Sequence, residues 1–249
     1  MDYIAAAAEL LSAKQRILVF TGAGISTESG IPDFRGPDGV WTRVDPAEFT
    51  IDRYLARPET RRMSWQMRAD SKALDAEPNA AHHAIVALWE TGRMLGCVTQ
   101  NIDGLHQKAG MPPDRVVELH GNAHTTICVE CGNRTPTVDV MARFGDGDED
   151  PRCAFCNGIL KTDVVFFGEL LPERASTIAF GMAAQADSVL AVGSTLSVFP
   201  AAHVPLQALR TGAPLVIVNV GATEMDHLAS IRIEASAGEA LPALVAALA

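Results

Sequence analysis

Ile17-Leu18-Val19-Phe20-Thr21-Gly22-Ala23-Gly24-Ile25-Ser26-Thr27 is the stretch that decides the fold. Four apolar residues run together and stop at a glycine turn. Side chains of a strand alternate between its two faces, so a run with no polar alternation is apolar on both. Such a strand belongs inside a parallel sheet covered by helices on each side. Similar runs recur at Leu95–Thr99, Val116–Leu119, Val164–Phe167, Val189–Val192 and Leu215–Val220. Helical patterns lie between several of them, at Ala81–Glu90, Pro172–Gln185, Ala201–Arg210 and from Glu239 onward. Ala5–Leu11 is helical by composition. Strands alternating with helices predict an α/β protein with a mostly parallel, doubly wound sheet.

Two stretches break this rhythm. Residues 33–77 are polar, rich in Arg and Pro, and without a clear strand. Residues 121–161 hold four cysteines and an acidic run, Asp146-Gly147-Asp148-Glu149-Asp150. Both read as insertions that together form a smaller domain, with a cleft between it and the sheet. The 249 residues carry 20 basic and 30 acidic side chains, a net charge of −10. That argues against non-specific nucleic-acid binding, which needs a positive surface. No apolar run approaches the ~18–20 residues of a membrane span. The start, Met1-Asp2-Tyr3-Ile4, lacks the basic region of a signal peptide. The expectation is a cytoplasmic protein, monomeric, with no nucleic-acid or membrane partner.

The cysteines are the most specific local signal. Five in such a chain make no disulfide framework. Four form two Cys-x-x-Cys pairs, Cys128/Cys131 and Cys153/Cys156. The interval, residues 132–152, is 21 residues long, one beyond the ~15–20 usual for a zinc ribbon. Four thiolates on two knuckles suit a closed tetrahedral Zn²⁺ site, which leaves no open position and makes the metal structural. Redox pairs and ordinary cysteines are the alternatives. Cys97, inside an apolar run, reads as a small core residue.

Polar residues cluster after the predicted strands, where open α/β sheets bind ligands. Gly22-Ala23-Gly24 would let backbone approach a pyrophosphate, with the following helix N-terminus adding positive charge. The full glycine fingerprint fails, because Thr27 stands at its third position, so a plain tight turn competes. Gly30-Ile31-Pro32-Asp33-Phe34-Arg35-Gly36-Pro37 reads equally as a solvated loop or a functional one. Gln100, Asn101 and Asp103 offer donors and acceptors, though helix capping by Asn101 or Asp103 explains them as well. His120 ends another strand beside Gly121, and an ordinary pKa of ~6.5 suits it to proton transfer. Gly193-Ser194-Thr195-Leu196-Ser197 and Asn219-Val220-Gly221 follow two further strands and suit phosphate and ribose hydroxyls.

Taken together these residues closely resemble the sirtuin (Sir2-type) family of NAD-dependent protein lysine deacylases. The resemblance runs from about Ile17 to the C-terminal helix. It rests on Gly22-Ala23-Gly24-Ile25-Ser26, Gly30-Ile31-Pro32-Asp33-Phe34-Arg35, Thr99-Gln100-Asn101-Ile102-Asp103, His120-Gly121, both cysteine pairs, Val164-Val165-Phe166-Phe167-Gly168-Glu169 and Gly193-Ser194-Thr195-Leu196.

The resemblance implies a Rossmann-like domain of residues 1–35, 78–120 and 162–249. A helical insertion (36–77) and a zinc-ribbon module (121–161) would form the small domain. NAD would be the co-substrate and one structural Zn²⁺ the metal. Gly22, Ala23, Gly24 and Thr27 would hold the pyrophosphate. Asp33, Phe34 and Arg35 would lie in a loop over the cofactor, Phe34 screening the nicotinamide site. Gln100 and Asn101 would contact ribose, and Ile102 and Asp103 the nicotinamide carboxamide. Gly193, Ser194, Asn219 and Val220 would hold phosphate and adenosine. An acylated peptide would add as a strand between Val165-Phe166-Phe167-Gly168-Glu169 and the segment at Val198–Phe199. The catalytic pair would be His120, as general base on a ribose hydroxyl, and Asn101.

Family members that favour succinyl groups carry a Tyr-x-x-Arg motif. Here the stretch reads Trp65-x-x-Arg68, without the Tyr. Burying a carboxylate without partners is costly, so acetyl is expected over succinyl. The competing functions are another deacylase, mono-ADP-ribosyltransfer at the same site, or a non-catalytic NAD-binding module.

Overall fold

The computed structural model describes residues 3–36, 39–71 and 73–248; Met1, Asp2, Pro37, Asp38, Lys72 and Ala249 lie outside them. Six strands form one parallel sheet. They are β1 (Ile17–Thr21), β2 (Met94–Thr99), β3 (Val116–Glu118), β7 (Ser188–Val192), β8 (Leu215–Val218) and β9 (Ile231–Ile233). Their spatial order is β3-β2-β1-β7-β8-β9, and every neighbouring pair is parallel. Counted along this sheet alone, that order is 3-2-1-4-5-6, which reverses direction between β1 and β7.

The central strands are mostly apolar because both of their faces are covered. Every residue of β1, β7 and β8 is buried. Val19, Leu190 and Val216 pack under the helices Tyr3–Ser12, Ala80–Glu90 and Ala237–Ala246. Leu18, Phe20, Val189 and Ile217 point the other way, toward Glu173–Gln185 and His203–Arg210. The alternation along each strand thus feeds two cores.

The second unit is a three-stranded antiparallel sheet. It comprises β4 (Gly121–Cys128), β5 (Arg134–Pro136) and β6 (Leu160–Val164), in the order β5-β4-β6. The apolar run Val164–Phe167, expected in the parallel sheet, instead continues β6 out of this small sheet. What decides its place is pairing: Val164 lies opposite Gly121. The strand that completes the large sheet is β9, whose Ile-Arg-Ile is too short to signal itself.

Residues 33–77 supply the helices Ile51–Ala56 and Pro58–Asp70, which pack on the small sheet. Trp65 is 1% exposed and shares a core with Cys128, Val140, Cys153 and Leu160. The acidic run is the outer clasp of this packing. Asp150 pairs with buried Arg61 at 2.8 Å, and Glu149 and Asp148 lie beside Arg62 and Arg143. Such charges would cost several kcal/mol if buried alone, and the Arg61–Asp150 fork compensates for it.

Candidate active site

The ends of β1 and β7 meet at the sheet's reversal point. Gly22 N–H donates to the Val192 carbonyl at 3.0 Å, and Gly24 N–H to the Gly193 carbonyl at 2.8 Å. A Cβ on Gly24 would lie 2.8 Å from Gly193 Cα, and one on Gly22 would lie 2.8 Å from Gly193 O. Gly193 itself has φ +59°, and its Cβ would strike the Ile25 N at 2.3 Å. All three glycines are therefore required by contact between two loops. The expected helix after β1 is absent. Two 3₁₀ turns stand there, Ala23–Ile25 and Thr27–Ser29. The dipole of a long helix does not contribute, and any anion here would be held by local N–H groups.

β2 ends in Gln100-Asn101-Ile102-Asp103. Gln100 Nε2 reaches across β1 to Ser194 Oγ at 2.8 Å, which joins the ends of β2 and β7. Asn101 is buried, its amide donating to the Gly22 carbonyl and to Ser26 Oγ, both at 3.2 Å. Ser26 Oγ in turn donates to Asp103 Oδ2 at 2.7 Å, while Asp103 Oδ1 accepts from Leu105 N–H at 3.0 Å. Helix Leu105–Ala109 has Gly104 at its N-cap position, and the Asp103 carboxylate holds the turn just before it through the Leu105 N–H. Below this loop Thr21 Oγ1, Thr99 Oγ1 and His106 Nε2 form a buried chain, with separations of 2.8 and 2.9 Å. Thr99 Oγ1 accepts from Asn101 N–H at 3.0 Å and so carries the loop.

His120 follows β3. Its Nδ1 lies 3.0 Å from the Gln100 carbonyl. A carbonyl only accepts, so Nδ1 carries the proton and Nε2 is left as the basic nitrogen. Burial pushes the His120 pKa below its ordinary value, and the Gln100 bond offsets part of that push. The imidazole is neutral near pH 7, as a general base requires.

The segment after β6 is attached to His120. Val165 N–H donates to the His120 carbonyl at 2.9 Å, and Gly121, with φ +73°, passes so close that a Cβ would lie 1.9 Å from the Asp163 carbonyl. Phe167 exchanges backbone bonds with Phe49 and Ile51 at 2.9 and 3.0 Å. Glu169 does not present a free carboxylate. Lys161 Nζ and Phe166 N–H both bind it at 2.7 Å, so it shapes the Phe166–Glu169 turn. Phe167 and Phe199 are exposed, at 44% and 53%. Val198 lies beside Phe199, its carbonyl accepting from Ala202 N–H at 2.9 Å.

Asp33, Phe34 and Arg35 lie in the exposed loop expected for them. Asp33 Oδ1 accepts from Gly36 N–H at 2.7 Å. Phe34 stacks on Trp41 with centroids 5.1 Å apart, and Trp41 in turn meets Phe49 at 5.1 Å and Phe167 at 6.0 Å. This aromatic bridge joins the Phe34 loop to the Val165–Glu169 segment. Neither Trp41 nor Phe49 stands among the residues that the sequence points to. They are two of the four aromatics in residues 36–77, and no local pattern marks them for a site. Ser26, the hydroxyl that links Asn101 and Asp103, is not among the expected site residues either. On the last loop, Asn219 donates to the Val220 and Gly221 carbonyls at 2.9 and 3.1 Å, and Val220 is exposed.

The four cysteine sulfurs of the small sheet lie within 4.8 Å of one another. The Cys128–Cys156 and Cys131–Cys153 separations are 3.5 and 3.7 Å. Tetrahedral Zn–S bonds of ~2.3 Å put sulfurs about 3.8 Å apart. The donor set therefore fits one zinc ion, with no position left for a substrate.

The Sir2 family profile matches residues 22–200. The NAD-dependent protein deacetylase 2 of Streptomyces coelicolor is 46% identical over 240 residues, covering 96% of this chain and all of that protein. The NAD-dependent protein deacetylase of Thermotoga maritima is 40% identical over 224 residues, or 90% of this chain and 89% of the relative. Among solved structures, a Sir2 enzyme superposes with a TM-score of 0.91 at 41% identity, covering 99% of this chain and 98% of its own. A Sir2 protein with a deacetylated p53 peptide and 3′-O-acetyl-ADP-ribose gives 0.90 at 37% identity, covering 96% of each chain.

Proposed function

The chain belongs to the Sir2 family, and from that premise we propose that it is an NAD-dependent protein-lysine deacetylase. The reaction moves the acetyl group of acetyl-lysine to ADP-ribose and releases nicotinamide. The observation that carries the reading is the state of His120. Its Nδ1 proton is committed to Gln100, its Nε2 is basic, and the same residue's carbonyl receives the Val165 segment. A binding module needs no such base.

The residues divide the work as follows. Gly22, Ala23, Gly24 and Thr27 hold the pyrophosphate of NAD, with Gly193 and Ser194 closing the other side. Asn219 and Val220 lie toward the adenosine. Gln100 and Asn101 orient the nicotinamide ribose, and Ile102 and Asp103 hold the carboxamide. Asp33, Phe34 and Arg35 cover this end, and Phe34 keeps water from the reacting carbon. An acetyl-lysine peptide adds as a strand against Val165, Phe166, Phe167, Gly168 and Glu169, with Val198 on its other edge. The amide oxygen is a weak nucleophile and needs positioning and exclusion of water to attack the ribose. His120 Nε2 then takes a ribose hydroxyl proton, so that this oxygen attacks the acyl carbon. Zinc, held by Cys128, Cys131, Cys153 and Cys156, ties the small sheet together and takes no part.

We further propose that residues 1–35, 78–120 and 162–249 form the cofactor-binding domain, with 36–77 and 121–161 as the small domain. The protein acts as a cytoplasmic monomer on acylated proteins. Among the described residues no helix is long and apolar enough to cross a membrane. Acetyl is preferred over succinyl, because Trp65, in the small core, stands where a Tyr would pair with the acyl carboxylate. Arg68 contacts the Thr162 hydroxyl at 3.3 Å.

The deciding experiment is nicotinamide release from NAD with and without an acetyl-lysine peptide. Peptide-dependent release with O-acetyl-ADP-ribose as product is expected. Release without deacetylation would replace this reading by ADP-ribosyltransfer or NAD hydrolysis. A higher kcat/KM on a succinyl peptide than on its acetyl counterpart would refute the acyl preference.

A further inference from the structure

The loop that carries Asn101 and Asp103 is held from behind by the start of β4. Ala123 N–H donates to the Ile102 carbonyl at 2.8 Å. One residue on, His124 Nε2 stands 2.8 Å from the Asp103 carbonyl oxygen. That oxygen only accepts, so Nε2 carries the proton and donates. Gly104 has φ +70°, and a Cβ there would lie 3.1 Å from the same Nε2. The imidazole therefore rests directly on the Asp103–Gly104 peptide. Its own backbone is fixed, since the N–H groups of His124 and Thr125 both donate to Asn122 Oδ1, at 3.1 and 3.0 Å.

We propose that His124 is a positioning residue, a clamp that holds the Asp103–Gly104 peptide and with it the nicotinamide end of the site. The proposal rests on the assignment of Ile102 and Asp103 given above. The Asp103 carboxylate is held on its other side by Ser26 and Leu105. Gly104 has no side chain with which to anchor the turn. Beyond the imidazole lies a cavity of about 310 Å³, lined by Asp103, Gly104, Glu118, Asn122 and His124 among others. His124 is itself exposed, and without its imidazole the Asp103 carbonyl loses its side-chain donor and faces this open space. A hydrogen bond lost at such a point corresponds to about a tenfold change in an equilibrium it controls.

The test uses His124→Ala and His124→Gln in the zinc-loaded enzyme. Gln keeps an N–H at similar reach. His124→Ala is expected to raise KM for NAD and the nicotinamide concentration giving half-inhibition, each about tenfold, with peptide KM unchanged. Hydrogen exchange of the Asn101–His106 segment should speed up. His124→Gln should restore all three. Unchanged exchange together with an unchanged NAD KM in His124→Ala would overturn the clamp. So would an equal loss in both variants, which would mark a packing role. Asp103→Asn separates the two levels. If it leaves nicotinamide inhibition unaltered, the carboxamide assignment fails on its own account, and the clamp still stands or falls by the exchange rates.

Discussion

His106 lies under the site with its Nε2 on Thr21 Oγ1 and its Nδ1 without a partner. Burial pushes its pKa down to about 3, and nearby His82 adds to the push. In the unfolded chain the same group titrates near 6.5. A depressed histidine pKa gives stability that is complete above the unfolded value and is lost as pH falls toward the folded one. Between pH 7 and pH 5 the unfolded chain takes up this proton and the folded chain does not. At 1.36 kcal/mol per pH unit below 6.5, the loss at pH 5 is about 2 kcal/mol. The result is insensitive to the folded pKa so long as that lies below 5. For a chain of 249 residues, about 2 kcal/mol is ~4–8 °C in Tm. His106→Gln keeps a donor for Thr21 and cannot titrate. The assay is thermal unfolding of the zinc-loaded wild type and variant at pH 7 and pH 5. The wild type should lose ~4–8 °C more than the variant. Parallel losses would refute the argument, because they would show that His106 is protonated in the folded state or contributes nothing. Since Thr99 Oγ1 also supports Asn101, the acid loss of stability should be felt first at the site.

Three further outcomes follow from the same geometry. His120→Ala should retain NAD affinity and lose turnover by at least ~10²-fold, and the wild-type acid limb of kcat/KM should fall below pH 6.5, since burial depresses the His120 pKa; surviving turnover would refute the base assignment. Chelating zinc, or making Cys156→Ser, should expose Trp65, red-shift tryptophan emission and abolish activity although no metal step exists, and an active metal-free enzyme would contradict this. Gly24→Ala drives a methyl to 2.8 Å from Gly193 Cα, so it should cost about 1–3 kcal/mol in unfolding assays and weaken NAD binding; a neutral substitution would show that the two loops are not in contact.

Much of this was legible in the chain order. A strand buried on both faces is mostly apolar, so β1, β7 and β8 announce themselves, and parallel strands need long crossovers, usually helical, between them. The two Cys-x-x-Cys knuckles specify a tetrahedral thiolate set because spacing alone brings each pair together. The polar residues that follow β1, β2, β3, β7 and β8 had to lie along one edge once the sheet was parallel. Local chemistry also allowed the turn-holding bond that Asp103 makes to the Leu105 N–H.

Contacts between distant segments could not be read that way. Whether Val164–Phe167 joins the large sheet or the small one depends on whether its partner is a parallel strand or Gly121, and its composition suits both. Ile231–Ile233 is a strand only because β8 offers an edge. Gly193 reads as a turn residue, yet what demands glycine is the Gly24 backbone pressed against it. The His120 tautomer follows from a carbonyl twenty residues away, and the hold of His124 on Asp103 spans 21. Sequence by itself determined which segments are strands buried on both faces, which cysteines can share a metal and where polar side chains gather, because these follow from local periodicity and spacing. Only the tertiary structure decided which polar atoms meet and which nitrogen of His120 is basic, because a hydrogen bond depends on distances that no local pattern encodes.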